Sequence, residues 1–223
     1  MGKLIVVIVI LGALLVAAEF IVQPVAEEEV AAQLTGDLGL AEEPEVSLGP
    51  HPFLLNGARG NFPKVRIAID EMRTKGFKLT DMDLSLRGVG FSIPDMIAGD
   101  RSISIKGGSG HVDLTIPFLN LFLEKEQADF RFEPTEDEPV ADVEQGGETA
   151  LDLDISEDRL ILDPEPLPPS ALTAQGGAAE QPSTEAIELP RFLSNLTYES
   201  VTFGDGVVSI RFRLGPTILA TPR

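Results

Sequence analysis

Over most of the chain, apolar and polar side chains alternate with a period of two, the mark of strands with one face toward a core and the other toward water. Val65, Ile67 and Ile69 alternate with Lys64, Arg66 and Asp70, and Met82, Leu84 and Leu86 with Asp81, Asp83 and Arg87. The same pattern covers Ile103 and Ile105; Val112, Leu114 and Ile116; Leu151, Leu153 and Ile155; and Val208, Ile210, Phe212 and Leu214. Two glycine-bearing stretches, 106–110 and 204–206, have the composition of tight turns between neighbouring strands. Helices are fewer. Val22, Ala26, Val30 and Leu34 recur at every fourth residue before Gly36 and Gly39. Residues 117–128 begin on Pro117 and set Phe118, Leu121 and Phe122 on one face, while Leu119 and Leu123 make a second side apolar. Short helical turns are predicted at 53–56 and 94–98. The expected class is α+β, with a curved, largely antiparallel sheet whose apolar face exceeds what two short helices can cover.

The amino terminus departs from this alternation. After Lys3, residues 4–18 are uncharged and apolar, Glu19 interrupts, and Phe20, Ile21 and Val22 follow. As a helix, 4–18 rises about 22 Å against roughly 30 Å of hydrocarbon, and extension to Val22 brings it to about 28 Å. Residues 1–22 therefore read as a signal peptide or a signal-anchor. The anchor is favoured, because the helical pattern runs on past the small residues Val16, Ala17 and Ala18. Lys3 on one side and Glu27, Glu28 and Glu29 on the other keep the amino terminus inside. Residues 23–223 are then expected as a single domain on the extracytoplasmic side of the cell membrane, in the periplasm or cell envelope.

Composition removes several classes of function. A formal charge of −19 repels nucleic acid, and the absence of cysteine excludes disulfides and thiolate chemistry. His51 and His111 have no evident carboxylate or nucleophile partner. The aspartate pairs Asp81/Asp83 and Asp152/Asp154 are what strand alternation produces on a solvent face. No Gly-x-Ser-x-Gly, phosphate loop or dinucleotide fingerprint occurs. No enzyme activity, cofactor or metal is expected. The run of carboxylates from 133 to 165, where only Arg159 is basic, reads as solvated face and loop, with an acidic loop at 133–148; the Pro/Ala-rich stretch 164–186 reads as a disordered loop.

Two stretches remain as candidate sites. Pro50 and Pro52 fix a turn whose tip is Phe53, Leu54 and Leu55, and Gly57 and Gly60 lead it into the strand carrying Arg66. That tip either packs a core or touches a membrane. From 59 to 87 the chain is locally basic, with Arg59, Lys64, Arg66, Arg73, Lys75, Lys78 and Arg87, a candidate for binding phosphate or an anionic surface.

The order of features resembles the LmeA-like phospholipid-binding proteins of the actinobacterial cell envelope. The likeness covers roughly 1–125 and 188–215, and its sharpest element is Gly49, Pro52, Phe53 and Leu54 followed by Arg59, Gly60, Phe62, Val65 and Arg66. The acidic insert and the Pro/Ala stretch depart from it. The resemblance implies a tubular lipid-binding-like fold, a curved sheet wrapping a long amino-terminal helix. It also implies a membrane-anchored phospholipid-binding protein acting in envelope lipid or glycolipid maturation. On that reading Phe53, Leu54, Leu55, Leu84, Leu86, Val112, Leu114, Phe118, Leu121 and Phe122 line an acyl-chain cavity or touch the membrane, and Arg59, Lys64, Arg66 and Arg87 meet a head group. The expected partners are phospholipid, the membrane and an envelope glycolipid biosynthesis enzyme. The competing expectation is a non-catalytic envelope scaffold, bound to such an enzyme and carrying no lipid.

Overall fold

The computed structural model describes residues 2–49, 52–74, 77–92, 102–133, 138–143, 147–166, 182–190 and 195–219, with side chains from residue 18 onward except those of 74, 77 and 219. The protein is α+β with mostly antiparallel sheets, one of them strongly curled into a half-barrel. In chain order the elements are α1 (Gly2–Leu38), β1 (Glu45–Ser47), α2 (Phe53–Ala58), β2 (Asn61–Thr74), β3 (Phe77–Phe91), β4 (Ile103–Thr115) and α3 (Ile116–Glu126). They continue with β5 (Phe130–Phe132), β6 (Val140–Val143), β7 (Gly147–Ser156), β8 (Arg159–Pro164), β9 (Glu185–Glu188), β10 (Leu196–Gly204), β11 (Val207–Leu214) and β12 (Thr217–Leu219). A seven-stranded sheet runs β1-β2-β3-β4-β11-β10, with β12 also on β4, and a five-stranded sheet runs β5-β6-β7-β8-β9. Packing divides the chain into two compact units, the first made of Met1–Asp70, Asp83–Ser109 and Leu214–Arg223, the second of Glu71–Met82 and Gly110–Arg213. The expected helical turn at 94–98, together with His51 and Lys75, lies outside the described residues, as do residues 167–181 of the Pro/Ala stretch.

In the first unit, α1 ends where Gly39 takes the left-handed conformation (φ 63°) and the Leu40 N–H reaches back to the Thr35 carbonyl at 3.1 Å, a Schellman closure with Leu40 buried. Of the residues recurring at every fourth position, Ala26, Val30 and Leu34 are half-buried and Val22 is exposed. Among the described residues no helix is long and apolar enough to cross a membrane. The side chains of residues 4–17, which make up nearly all of the apolar run, lie outside the described ones.

The glycines expected to turn the chain at 106–110 do something else, because β4 passes straight through them. A Cβ on Gly108 would stand 2.9 Å from the Ser85 carbonyl oxygen and 3.0 Å from Leu86 Cδ2, and one on Gly107 3.2 Å from the Leu214 oxygen. These residues are small because neighbouring strands crowd them, not because the backbone reverses.

In the second unit, the hairpins β7–β8 and β10–β11 each turn on two residues with positive φ, Glu157 and Asp158 (49° and 67°) and Asp205 and Gly206 (51° and 73°), the geometry of type I′ turns. The second of these is the turn expected at 204–206. The first carries no glycine, so composition did not mark it. Strand β6 occupies part of the acidic stretch 133–148 read as loop. It does so because Ala141 and Val143 face inward and the strand pairs with both β5 and β7. Asn120 of α3 donates to the Phe132 carbonyl at 2.8 Å and accepts its N–H at 2.7 Å, fixing β5 to the helix.

Candidate functional site

The turn that opens the resemblance is built by close backbone approaches. Gly49 (φ 89°) lies so near Lys64 that a Cβ would be 2.2 Å from its carbonyl oxygen, and Gly60 (φ 63°) stands in the same relation to Phe91. The Phe91 N–H also donates to the Gly60 carbonyl at 2.8 Å. Any side chain at either position would collide with main chain, which cannot move aside. Between them α2 has no capping side chain of its own at Pro52. Its first two N–H groups, those of Phe53 and Leu54, donate instead to the Glu19 carboxylate of α1.

Of the three tip residues, Phe53 turns inward. Its ring stacks on Phe62 with centroids 5.5 Å apart, and Phe62 lies 6.0 Å from Phe91. Leu54 is half-buried and Leu55 is exposed. The choice left open by sequence therefore divides within three residues: Phe53 packs, and Leu55 is free to touch something else.

Leu84 and Leu86 of β3 face inward in the first unit with Val65 and Ile69 of β2. The inward residues of this unit are incompletely covered: Phe53, Phe62, Val65, Ile69, Leu84 and Leu86 retain 7, 8, 5, 6, 8 and 7% of their surface. The second unit differs. Leu114, Leu119, Phe132, Leu160, Leu162, Ile187, Val208 and Ile210 are all at 0%, although Met72, Leu189, Leu196 and Tyr198 keep 5 to 7%. Val112 and Leu114, expected to line a cavity, are at 2% and 0%. On α3 the buried side chains are Leu119 and Leu123, while Phe118 and Phe122 are half-buried and Leu121 is exposed. The apolar side facing the core is the one that sequence placed second.

The outward face of the same strands in the first unit is cationic. Arg66 is committed: its Nε donates to Asp83 Oδ2 at 2.7 Å, Nη2 meets the same oxygen, and the bond to Asp83, its charge and that of Glu45 hold the guanidinium above its ordinary value. Asp83 is thereby accounted for as an ion-pair partner. Arg87 and Lys106, both exposed, interlock across β3 and β4. The Lys106 methylenes lie over Gly88, where a Cβ would be 2.6 Å from Cδ, and Arg87 Nη2 comes within 3.9 Å of the Cβ position of Gly107. Among the described residues Arg59, Lys64, Arg87 and Lys106 form no ion pair. Two other cations of the basic stretch, Arg73 and Lys78 in the second unit, both bind Glu71, at 3.0 and 2.8 Å. Lys106 was invisible to sequence reasoning because it lies outside 59–87 and joins the group only through strand pairing. The glycines at 88 and 107, which make room for each cation, were the available signal. His111 is exposed on β4, as strand alternation requires.

Comparison with known proteins decides the family. The sequence model of the LmeA-like phospholipid-binding family matches residues 17–213. The chain belongs to the LmeA-like phospholipid-binding family. No curated protein and no solved structure matches the chain. The LmeA-like match spans both units and includes the acidic five-stranded sheet, which the resemblance left outside.

Proposed function

We propose that the protein binds phospholipid by admitting acyl chains beside the inner face of β2 and β3 in its first unit, with the anionic head group held by outward cations of the same region. The observation that carries this is the contrast in coverage along the strands. Closely packed interiors leave no room for solvent, as around Leu114, Phe132, Leu160, Leu162, Val208 and Ile210 of the second unit, at 0%, whereas six inward apolar side chains of the first unit keep 5 to 8% of their surface open. Phe53, Phe62, Val65, Ile69, Leu84 and Leu86 are the acyl-chain wall on this reading. Arg59, Lys64, Arg87 and Lys106 are the head-group candidates, since no acidic partner among the described residues neutralises them. Burial of each CH₂ gives about 0.8 kcal/mol relative to water, but a lipid leaving a bilayer was already buried, so selectivity falls to the charged end.

The protein acts, on the same reading, at the outer side of the cell membrane in envelope lipid or glycolipid maturation, retained there by its amino-terminal helix. The backbone is helical through Ala18 and Glu19, and Glu19 is buried. A peptidase that reads extended chain finds none at the small residues 16–18.

Native mass spectrometry of the full chain, released from detergent, tests the binding. A stoichiometric phospholipid adduct is expected, and a lipid-free protein would overturn the proposal.

A further inference from the structure

Glu19 interrupts the apolar run of α1 in sequence, yet the fold removes it from the helix's outer surface. It is 8% exposed, and its carboxylate is occupied by the backbone N–H groups of Phe53 and Leu54. Gln23 and Glu27 follow at i+4 spacing. Gln23 Nε2 donates to Glu27 Oε1 at 2.9 Å, and Glu27 accepts the Leu48 N–H at 2.8 Å. The polar stripe of α1 thus faces the protein. Outside are Phe20, Ile21, Val22, Pro24 and Val25, all exposed, with Phe20 at 66% and Ile21 at 68%. Three residues after Val25 the exposed face becomes acidic, with Glu28 and Glu29. A helix on a watery surface has the opposite arrangement, charges outward and apolar groups inward.

We propose that the exposed apolar face of α1 from Phe20 to Val25 lies in lipid as a continuation of the anchor, and that it carries α2 into the boundary between head groups and acyl chains, with Leu55 as a second contact. This rests on residues 4–18 being an anchor, and it removes that anchor's main defect. Alone, 4–18 rises about 22 Å, too little for roughly 30 Å of hydrocarbon, whereas 4–25 rises about 33 Å. A carboxylate turned to lipid would be expensive, but Glu19 is turned to α2. The same bonds keep α2 from bringing its first two N–H donors bare into the boundary. Glu19 lies about 9 Å along the helix before Val25. That sets α2 at the depth of roughly 5–10 Å at which interfacial helices sit.

The chain contains no tryptophan, so a single introduced one reports depth without background. The experiment places full-length Val25→Trp, Leu55→Trp and Glu28→Trp in vesicles of phosphatidylcholine and phosphatidylglycerol, after confirming that each variant unfolds at the wild-type temperature. For Val25→Trp and Leu55→Trp, phosphatidylcholine brominated on its acyl chains is expected to reduce emission about twofold or more, as for an interfacial side chain, with iodide having little effect. Glu28→Trp should respond to iodide instead. If the protein floats with vesicles but iodide quenches Val25→Trp or Leu55→Trp as it does Glu28→Trp, this seat is wrong and the anchor stands. If the protein does not float at all, both fall.

Discussion

The two units solve the problem of a one-sided sheet differently. In the second, the inner faces of β5 to β8 and β11 close over side chains that keep 0 to 4% of their surface, and the outer face of the five-stranded sheet is acidic, with Asp152, Asp154, Asp163, Glu165 and Glu188 all exposed. In the first, Phe53, Phe62, Val65, Ile69, Leu84 and Leu86 keep 5 to 8% of their surface open, and the outer face holds Lys64, Arg87 and Lys106, which have no acidic partner among the described residues. A dry core with a solvated acidic coat is a design for stability and solubility. On the proposed function, a less completely covered apolar wall beside cations with no acidic partner among the described residues binds something apolar at one end and anionic at the other, and the first unit is the half that acts.

The harshest test of this contrast is truncation in each half. Phe132→Ala in the second unit removes a ring at 0% exposure, sandwiched edge-on against Phe203 with centroids 5.8 Å apart, and should cost about 3–5 kcal/mol. Leu86→Ala in the first unit, at 7% exposure, should fall at or below the lower end of the roughly 2–5 kcal/mol range for such truncations. Denaturant unfolding of both variants measures this. Equal losses would mean that the two cores are packed alike.

Filling space should reverse the ranking. Leu114→Trp enters dry packing and is expected to cost about 1–3 kcal/mol. Leu86→Trp in the open wall should leave the melting temperature close to wild type while displacing lipid, read as loss of the phospholipid adduct in native mass spectra. A stable Leu114→Trp beside an unfolded Leu86→Trp would invert the assignment of the lipid wall.

Much of the fold was legible in the pattern of the chain. Period-two alternation marked the long strands, because one face of each meets apolar neighbours and the other meets water, whichever strands those neighbours turn out to be. Alternation says nothing of how completely a face is covered, so Val112 and Leu114 looked the same as Leu84 and Leu86. Gly107 and Gly108 were taken for a turn because glycine serves both reversal and crowding, and only the position of Ser85 and Leu86 on the next strand distinguishes them. On α3, five apolar residues in six positions offered two possible inner faces, and the packing of Leu119 and Leu123 chose between them. Glu19 looked like a break in an apolar segment. Its role depends on the Phe53 and Leu54 amides more than thirty residues away. Lys106 escaped for a similar reason, since its place beside Arg87 is a matter of sheet register.

Head-group preference should separate free from committed cations. Removing the charge of Lys106 with Lys106→Gln is expected to lower the preference for phosphatidylglycerol over phosphatidylcholine about fivefold, near 1 kcal/mol for one basic group at an anionic surface. Arg66→Gln, which removes a cation already engaged by Asp83, should change it little. The ratio of the two lipids recovered with full-length protein from mixed vesicles gives the answer. A larger effect from Arg66→Gln would mean that the ion pair opens to receive lipid.

The smallest effect belongs to the committed cations of the second unit. Glu71 accepts from Lys78 and Arg73, and those contacts, the Lys78 hydrogen bond foremost, hold its carboxyl below its ordinary value of 4.5. A carboxyl depressed in the folded state stabilises that state above the unfolded value, and the contribution disappears as pH falls through the folded one. Wild type and Glu71→Gln should therefore differ slightly in melting temperature at neutral pH and converge only below about pH 4.5, where the ordinary carboxyl begins to protonate. Because Arg73 is exposed and Glu71 and Lys78 are only half-buried, added salt should shrink the neutral-pH difference as well. A difference that persists unchanged into acid, or that ignores salt, would show that Glu71 contributes through packing. The contrast between answered cations here and unanswered ones around Arg87 would then lose its electrostatic basis.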